Sequence, residues 1–258
     1  MSTEFTKITS KDNSLIKLIS QLNNSGRSRK EHGLFVIEGL RLCRDAAENG
    51  YEFETLVISE TAQEKYGDDI LLLLKQAKKA YLVTDSVFTK ISDTKSPQGI
   101  ICLVKREDAK HNIDPRGRYI ALENVSDPSN LGAVARTAEA FDISGIIVSS
   151  NGCDPFAPKS LRASMGALLR LPVIVLDDFV SELKSSGLSL YACVVTEALS
   201  VTEASFADGC AALIGNEANG LTGEAIAAAT PITIKMTGRA ESLNAAVAAS
   251  IVMWEMQR

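Results

Sequence analysis

Apolar residues along the chain gather in short runs, separated by stretches in which they recur at helical spacing. Asn13 to Leu22 has helical spacing, Leu34 to Ile37 is a short apolar run, and Gly39 to Glu48 returns to the helical pattern. Thr55 to Ile58, Tyr81 to Val83 and Gly99 to Val104 read as further strands, with a helix expected over Ala62 to Lys79. Alternating strands and helices predict a small α/β sandwich for this first part. The polar stretch Lys105 to Arg118 breaks the pattern and contains Pro115 and Gly117, so a domain boundary is expected within it, giving domains 1–108 and 109–258.

The second part repeats the alternation more cleanly. Tyr119–Leu122, Gly145–Val148, Pro172–Leu176, Leu190–Val195, Ala211–Ile214 and Pro231–Lys235 are short, nearly continuous apolar runs. Such runs suit strands buried on both faces, as in a parallel sheet covered by helices. A last helix is expected from about Leu243 to Gln257.

Composition narrows the class. At 45% hydrophobic and 23% charged residues the chain is that of a globular protein, and no apolar run is long enough to span a membrane. The N-terminal residues are polar and include Glu4, unlike a secretory signal, so a cytoplasmic protein is expected. The cysteines Cys43, Cys102, Cys153, Cys193 and Cys210 are dispersed singly and read as thiols in a reducing compartment. His32 and His111 have no close metal-ligand partner, so no zinc site is expected. The net charge of −5 argues against nucleic-acid binding, but residues 1–44 carry +4 and the remainder −9. A basic front end on an acidic body is either a solvated helix face or a phosphate-contacting surface.

Three loops after buried strands carry the candidate chemistry, because ligands in parallel sheets bind beyond the strand C-termini. In the first, Asp127-Pro-Ser-Asn130 is a helix start, Gly132 in the helix implies a close neighbour, and Arg136 on a small apolar helix requires a partner. The second, Gly215-Asn-Glu-Ala-Asn-Gly220, allows a tight backbone and offers the carboxylate of Glu217, which is either a ligand group or a helix-start acid. It is neither a P-loop nor a GxGxxG fingerprint. In the third, Met236 to Asn244, Ser242 or Asn244 caps an alanine-rich helix that is either a core helix or a dimer contact.

Together, Asn124-Val-Ser-Asp-Pro-Ser-Asn-Leu-Gly-Ala-Val-Ala-Arg136, Gly215 to Gly220 and Met236-Thr-Gly-Arg-Ala-Glu-Ser-Leu-Asn244 resemble the three ordered motifs of the SpoU (TrmH) family of RNA ribose methyltransferases. The front segment, from Ile8 through Phe35-Val-Ile-Glu-Gly39 to Ser96-Pro-Gln-Gly99, looks like the substrate-binding domain often fused to that family, similar to the ribosomal protein L30e fold. The resemblance implies an α/β architecture with a C-terminal trefoil-knotted (SPOUT) parallel-sheet domain, preceded by the small L30e-like domain. It also implies a homodimer through the knot, and transfer of methyl from S-adenosylmethionine to a ribose 2′-hydroxyl. The two-domain layout favours 23S-type ribosomal RNA over tRNA as substrate. A non-catalytic RNA-binding protein is the rival reading.

Carried over to this chain, the resemblance makes Arg136 the main catalytic residue, with Asn130, Glu217, Ser242 and Asn244 organising it and the substrate. Gly215, Ile234, Met236 and Leu243 would line the cofactor pocket, with Thr196 at its edge. A guanidinium resists deprotonation, so Arg136 is expected to polarise the 2′-hydroxyl or stabilise its oxyanion rather than act as a base, with Glu217 orienting it. Lys7, Lys11, Lys17, Arg27, Arg29, Lys30 and Arg41 are the expected phosphate contacts. No membrane or metal partner is expected.

Overall fold

Asn13 opens the first long helix by accepting a hydrogen bond from the backbone N–H of Leu15 at 2.9 Å. In the computed structural model, which describes residues 5–106 and 112–258, the chain divides into two compact units. One comprises Met1–Asp108 with Phe156–Arg162, the other Ala109–Pro155 with Ala163–Arg258. His111 lies outside the described residues.

The first unit runs β1 (Thr6–Ile8), α1 (Ser14–Asn24), α2 (Gly26–His32), β2 (Leu34–Glu38), α3 (Leu40–Glu48), β3 (Phe53–Ser59), α4 (Glu60–Lys65), α5 (Gly67–Leu74), β4 (Ala80–Val83), α6 (Asp85–Ile91) and β5 (Ile100–Lys105). Its sheet has the order β1-β4-β3-β5-β2, with β5 antiparallel to both neighbours and the remaining pairs parallel. Ile16, Ile19 and Leu22 of α1 bury against Val36, Val57, Ile101 and Leu103 of the sheet. The aromatic ring of Phe156 packs on that of Phe35, with centroids 5.0 Å apart.

The single helix expected over Ala62 to Lys79 is two helices. The first ends where Tyr66 leaves helical geometry, just before Gly67, and the second ends at Leu74. Residues beyond it are drawn to the sheet instead, since Lys78 N–H donates to the carbonyl of Phe53 and Leu56 N–H to that of Lys79, each at 2.9 Å. The polar helix α2 lacks apolar periodicity. It is set by its ends: Ser25 caps its start, and Gly33 closes it at a left-handed φ of 61°.

The second unit contains β6 (Arg118–Leu122), α7 (Pro128–Ala140), β7 (Gly145–Ser149), α8 (Pro158–Ala163, mostly grouped with the first unit), α9 (Ala167–Arg170), β8 (Val173–Leu176), α10 (Phe179–Ser185), β9 (Ser189–Cys193), β10 (Leu199–Ser200), β11 (Cys210–Ile214), α11 (Gly223–Ala227), β12 (Thr230–Thr233) and α12 (Ala245–Met256). Its seven strands are all parallel in the order β10-β12-β9-β11-β6-β7-β8. β7 and β11 are buried along their whole length, as their unbroken apolar runs require. α12 packs on α7, β6 and β11. The guanidinium of Arg118 donates to the carbonyl of Met256 at 2.5 Å and so serves the open end of that helix.

Gly132 has the close neighbour its sequence position implied. A Cβ there would lie 2.4 Å from the Cβ of Ala163 and 2.7 Å from the backbone nitrogen of Ser164. Helix propensity alone favours Gly132→Ala by about 1 kcal/mol, whereas overpacking costs about 1–3 kcal/mol. We therefore expect the urea midpoint of Gly132→Ala to fall; a rise would show that the contact yields.

Candidate cofactor and catalytic site

The three loops leave the C-terminal ends of β6, β11 and β12, and each is fixed by its own polar residues. After β6, Asn124 takes a left-handed φ of 53°. Its backbone N–H donates to Ser149 Oγ at 2.8 Å, and Ser149 Oγ donates to Asn124 Oδ1 at 3.1 Å. Asp127 then caps α7, accepting from Ser129 N–H at 2.8 Å, with Pro128 at the first helical position.

After β11 the chain folds back on itself. A Cβ on Gly215 would lie 2.1 Å from the carbonyl carbon of Gly220, so this loop closes only with glycine there. Asn216 donates to the carbonyl of Asn124 at 2.8 Å, and its Oδ1 accepts from Ala218 N–H at 2.9 Å. The far side is tied to β6 by buried Glu123, which accepts from Thr222 N–H and Oγ1, both at 2.7 Å. After β12, Asn244 caps α12 by accepting from Ala246 N–H at 2.9 Å.

Glu217 joins the three loops. Its Oε1 accepts from Asn130 Nδ2 at 2.7 Å and from Asp127 N–H at 3.3 Å; its Oε2 accepts from Ser126 N–H and Oγ, each at 3.2 Å. A carboxylate only accepts, so the amide nitrogen of Asn130 must face it. That leaves Asn130 Oδ1 to accept from Asn244 Nδ2 at 2.9 Å, and Asn244 Oδ1 to cap α12. The chain α12–Asn244–Asn130–Glu217–α7 is thus directional, with each member's orientation dictated by the next. Burial alone would raise the Glu217 pKa. The Asn130 amide and the backbone N–H groups of Ser126 and Asp127 outweigh it and hold the carboxyl below its ordinary value.

Beside this relay lies a cleft of about 340 Å³. Gly215, Ile234, Met236 and Leu243, the four residues expected at the cofactor, line it together with Ser242 and Glu217. Thr196 does not line it; its wall is instead formed by Cys193, Val194 and Val195 at the end of β9. Sequence reading missed these three, although the rule that parallel-sheet ligands sit beyond strand C-termini applies to β9 as much as to β11. Burial pushes the Cys193 thiol up to about 11. Ala245 and Ala248 of α12 complete the wall, small enough to leave the space open.

Arg136 stands apart. Its side chain is exposed, does not line the cleft, and makes no hydrogen bond or ion pair with any of the described residues. The expectation that Glu217 orients it is therefore corrected: the Glu217 carboxylate is spent on Asn130 and the start of α7.

Of the expected phosphate contacts, Lys7, Lys11, Lys17, Arg27, Lys30 and Arg41 are exposed in the first unit. Lys17 lies 3.5 Å from Asp12 and Arg27 2.7 Å from Glu31. Arg29 is a correction. It is only 4% exposed and donates to the carbonyl of Leu22, satisfying the last turn of α1 rather than facing solvent. All five cysteines are free, and no cluster of three or more potential metal ligands occurs among the described residues. Nor is any helix among them long and apolar enough to cross a membrane.

A parallel α/β unit with a ligand cleft walled by the loops after three strands, in a chain that also holds a separate α/β unit, has the anatomy of a two-domain enzyme that binds a small cofactor. The chain belongs to the SpoU rRNA Methylase family, whose sequence profile matches residues 117–254; the profile of the MRM3-like substrate binding domain matches residues 13–102. It is 30% identical to an uncharacterized tRNA/rRNA methyltransferase of Synechocystis, over 100% of this chain and 96% of that protein. It is 28% identical to the 23S rRNA (guanosine(2553)-2′-O)-methyltransferase RlmP of Bacillus subtilis, over 97% and 99% of the two chains. The AdoMet-bound rRNA methyltransferase from Sinorhizobium meliloti superposes with a TM-score of 0.85 at 28% identity, covering 98% of this chain and 97% of the other.

The lowered pKa of Glu217 sets the sign of a pH effect. The ionised carboxylate stabilises the fold above the ordinary carboxylate value of 4.5, and that contribution is lost as pH falls through the depressed folded value. Thermal unfolding of Glu217→Gln is expected to depend less on pH below about 4.5 than that of the wild type. Parallel acid limbs for the two proteins would show that the carboxylate contributes nothing.

Proposed function

We propose that this protein transfers a methyl group from S-adenosylmethionine to a ribose 2′-hydroxyl of 23S-type ribosomal RNA. The observation that carries this reading is the single hydrogen-bonded relay that ties the three motif loops together, the second and third of which line one cleft. The cleft fits the cofactor: its volume lies in the range of small-ligand sites, and its walls combine apolar side chains such as Val194, Ile234, Met236 and Leu243 with a few polar groups, among them Asn216, Glu217, Glu241 and Ser242. Gly215, Ile234, Met236 and Leu243 would hold the cofactor, with Thr196 just outside. When bound, it supplies an electrophilic methyl group on a sulfonium sulfur.

The chain's own residues do the rest. Arg136 presents a permanent positive charge that no carboxylate among the described residues neutralises, suited to polarising the 2′-hydroxyl and stabilising its oxyanion. Asn130, Glu217 and Asn244 act by positioning, since each is committed to the relay, while Ser242 faces the cleft. Cys193, with its pKa raised to about 11, stays a neutral thiol near pH 7 and does not compete for the methyl group.

Supporting an assembly of two copies, α12 exposes Val247 at 48% and Trp254 at 55%, apolar side chains that a homodimer would cover. We assign the second unit a trefoil knot, supported by the position of β12 between β9 and β10 and by the return of α12 onto α7 and β6. The first unit serves as the L30e-like RNA-binding domain. Domains 1–108 and 109–258 divide the work between RNA capture and chemistry. The setting is the cytoplasm, where the ribosomal RNA is.

Labelled methyl transfer to rRNA and tRNA from a strain lacking the protein tests the activity. Label is expected in rRNA, on the ribose. Arg136→Ala is expected to lose about 100–1,000-fold in turnover, the usual cost of removing one oxyanion donor, with cofactor affinity kept. Undiminished turnover would remove Arg136 from the chemistry, and absence of cofactor binding in the wild type would end the enzyme reading.

A further inference from the structure

The first unit holds a second cleft, of about 430 Å³, where α1 crosses one end of the sheet. Its floor is aliphatic. Leu15, Leu18 and Leu34 are half-buried against the core, and Leu103 beneath them is fully buried. Among the described residues its rim carries the cations Lys79, Lys105 and Arg106, with His32 beside them, against one carboxylate, Glu54. Glu54 is already engaged, with Lys78 Nζ at 2.6 Å and Lys105 Nζ at 3.4 Å. The side chain of Lys79 is exposed and has no hydrogen bond or ion pair with any described residue. The guanidinium of Arg106 lies 4.8 Å over the ring of Phe156, which holds it at the rim.

In a chain of net charge −5, this cleft sets three cations around an apolar floor. Stability does not demand it. The half-buried leucines would be better covered, and like charges side by side repel. We propose that this cleft is a docking site for one unpaired nucleotide of the RNA substrate, with the base against Leu15, Leu18 and Leu34 and the flanking phosphates on Lys79, Lys105 and Arg106. A flat apolar base and a negative backbone are the two features that such a slot complements together. The site lies wholly in the first unit and is separate from the cofactor cleft. It rests on the proposed RNA substrate, and it adds where that RNA is gripped outside the reacting position.

The test uses the full chain and a fluorescein-labelled, single-stranded RNA of mixed sequence, titrated by anisotropy over a range of salt. Lys79→Glu with His32→Glu is compared with Lys75→Glu, an exposed lysine outside the cleft. We expect the cleft variant to bind about 10-fold or more weakly and with a shallower salt slope, while the control binds as the wild type does. In methyl transfer to rRNA, the cleft variant should raise KM and leave kcat and cofactor affinity unchanged. Crosslinking of 4-thiouridine RNA should map to α1 and β2. Equal RNA binding by both variants, including the case where the cleft instead takes a protein side chain, overturns the proposal. A wild type that binds this RNA through the cleft yet methylates no rRNA would refute the assigned activity and leave the cleft standing.

Discussion

The catalytic unit depends on one carboxylate meeting four donors from a different loop. Glu217 sits on the loop after β11, and every partner it has on the loop after β6 belongs to the turn that starts α7. Hydrogen bonds to an ionised acceptor are about twice as strong as neutral ones, and an acid at a helix start also meets the favourable end of the dipole. Glu217 therefore anchors α7 while Asn130, one turn in, carries the constraint on to Asn244 and α12. Remove the carboxylate and Asn130 loses the reason for its orientation, so the third loop loses its tie as well.

Small residues make that meeting geometrically possible. Gly215 lets the second loop fold onto Gly220, and Gly132 lets α7 approach Ala163 to a distance no side chain allows. Ala245 and Ala248 keep α12 slim where it borders the cleft. The relay and the close packing solve one problem: loops from strands far apart in sequence must be held together beside the cleft that the loops after β9, β11 and β12 line. What they leave uncommitted is Arg136, whose charge is neither buried nor paired with any described residue. A residue so placed is free to meet a substrate, which fits a reaction in which negative charge develops on a ribose oxygen.

Much of this was legible in the sequence for physical reasons. The strands of the second unit declared themselves because burial on both faces demands unbroken apolar runs, as in β7 and β11. The close approach at Gly132 followed from the cost of glycine within a helix. Four cofactor-cleft residues followed from motif resemblance rather than from periodicity. What sequence could not supply was direction. An arginine on an apolar helix suggested a partner, and Glu217 was the nearest carboxylate by motif, but hydrogen-bond geometry gives that carboxylate to Asn130. Arg29 looked like its basic neighbours until the fold turned it inward to close α1. Polar helix α2 escaped because capping residues, not apolar spacing, define it.

The central claim is that Glu217, Asn130 and Asn244 act as a single relay that assembles the cofactor cleft. Calorimetric titration of S-adenosylmethionine into Glu217→Ala, Asn244→Ala and the double variant tests it most directly. The account predicts that each single change weakens binding and that the double variant loses clearly less than the two losses combined, because both break the same chain through Asn130. Additive losses, or unchanged affinity in Glu217→Ala, would contradict it.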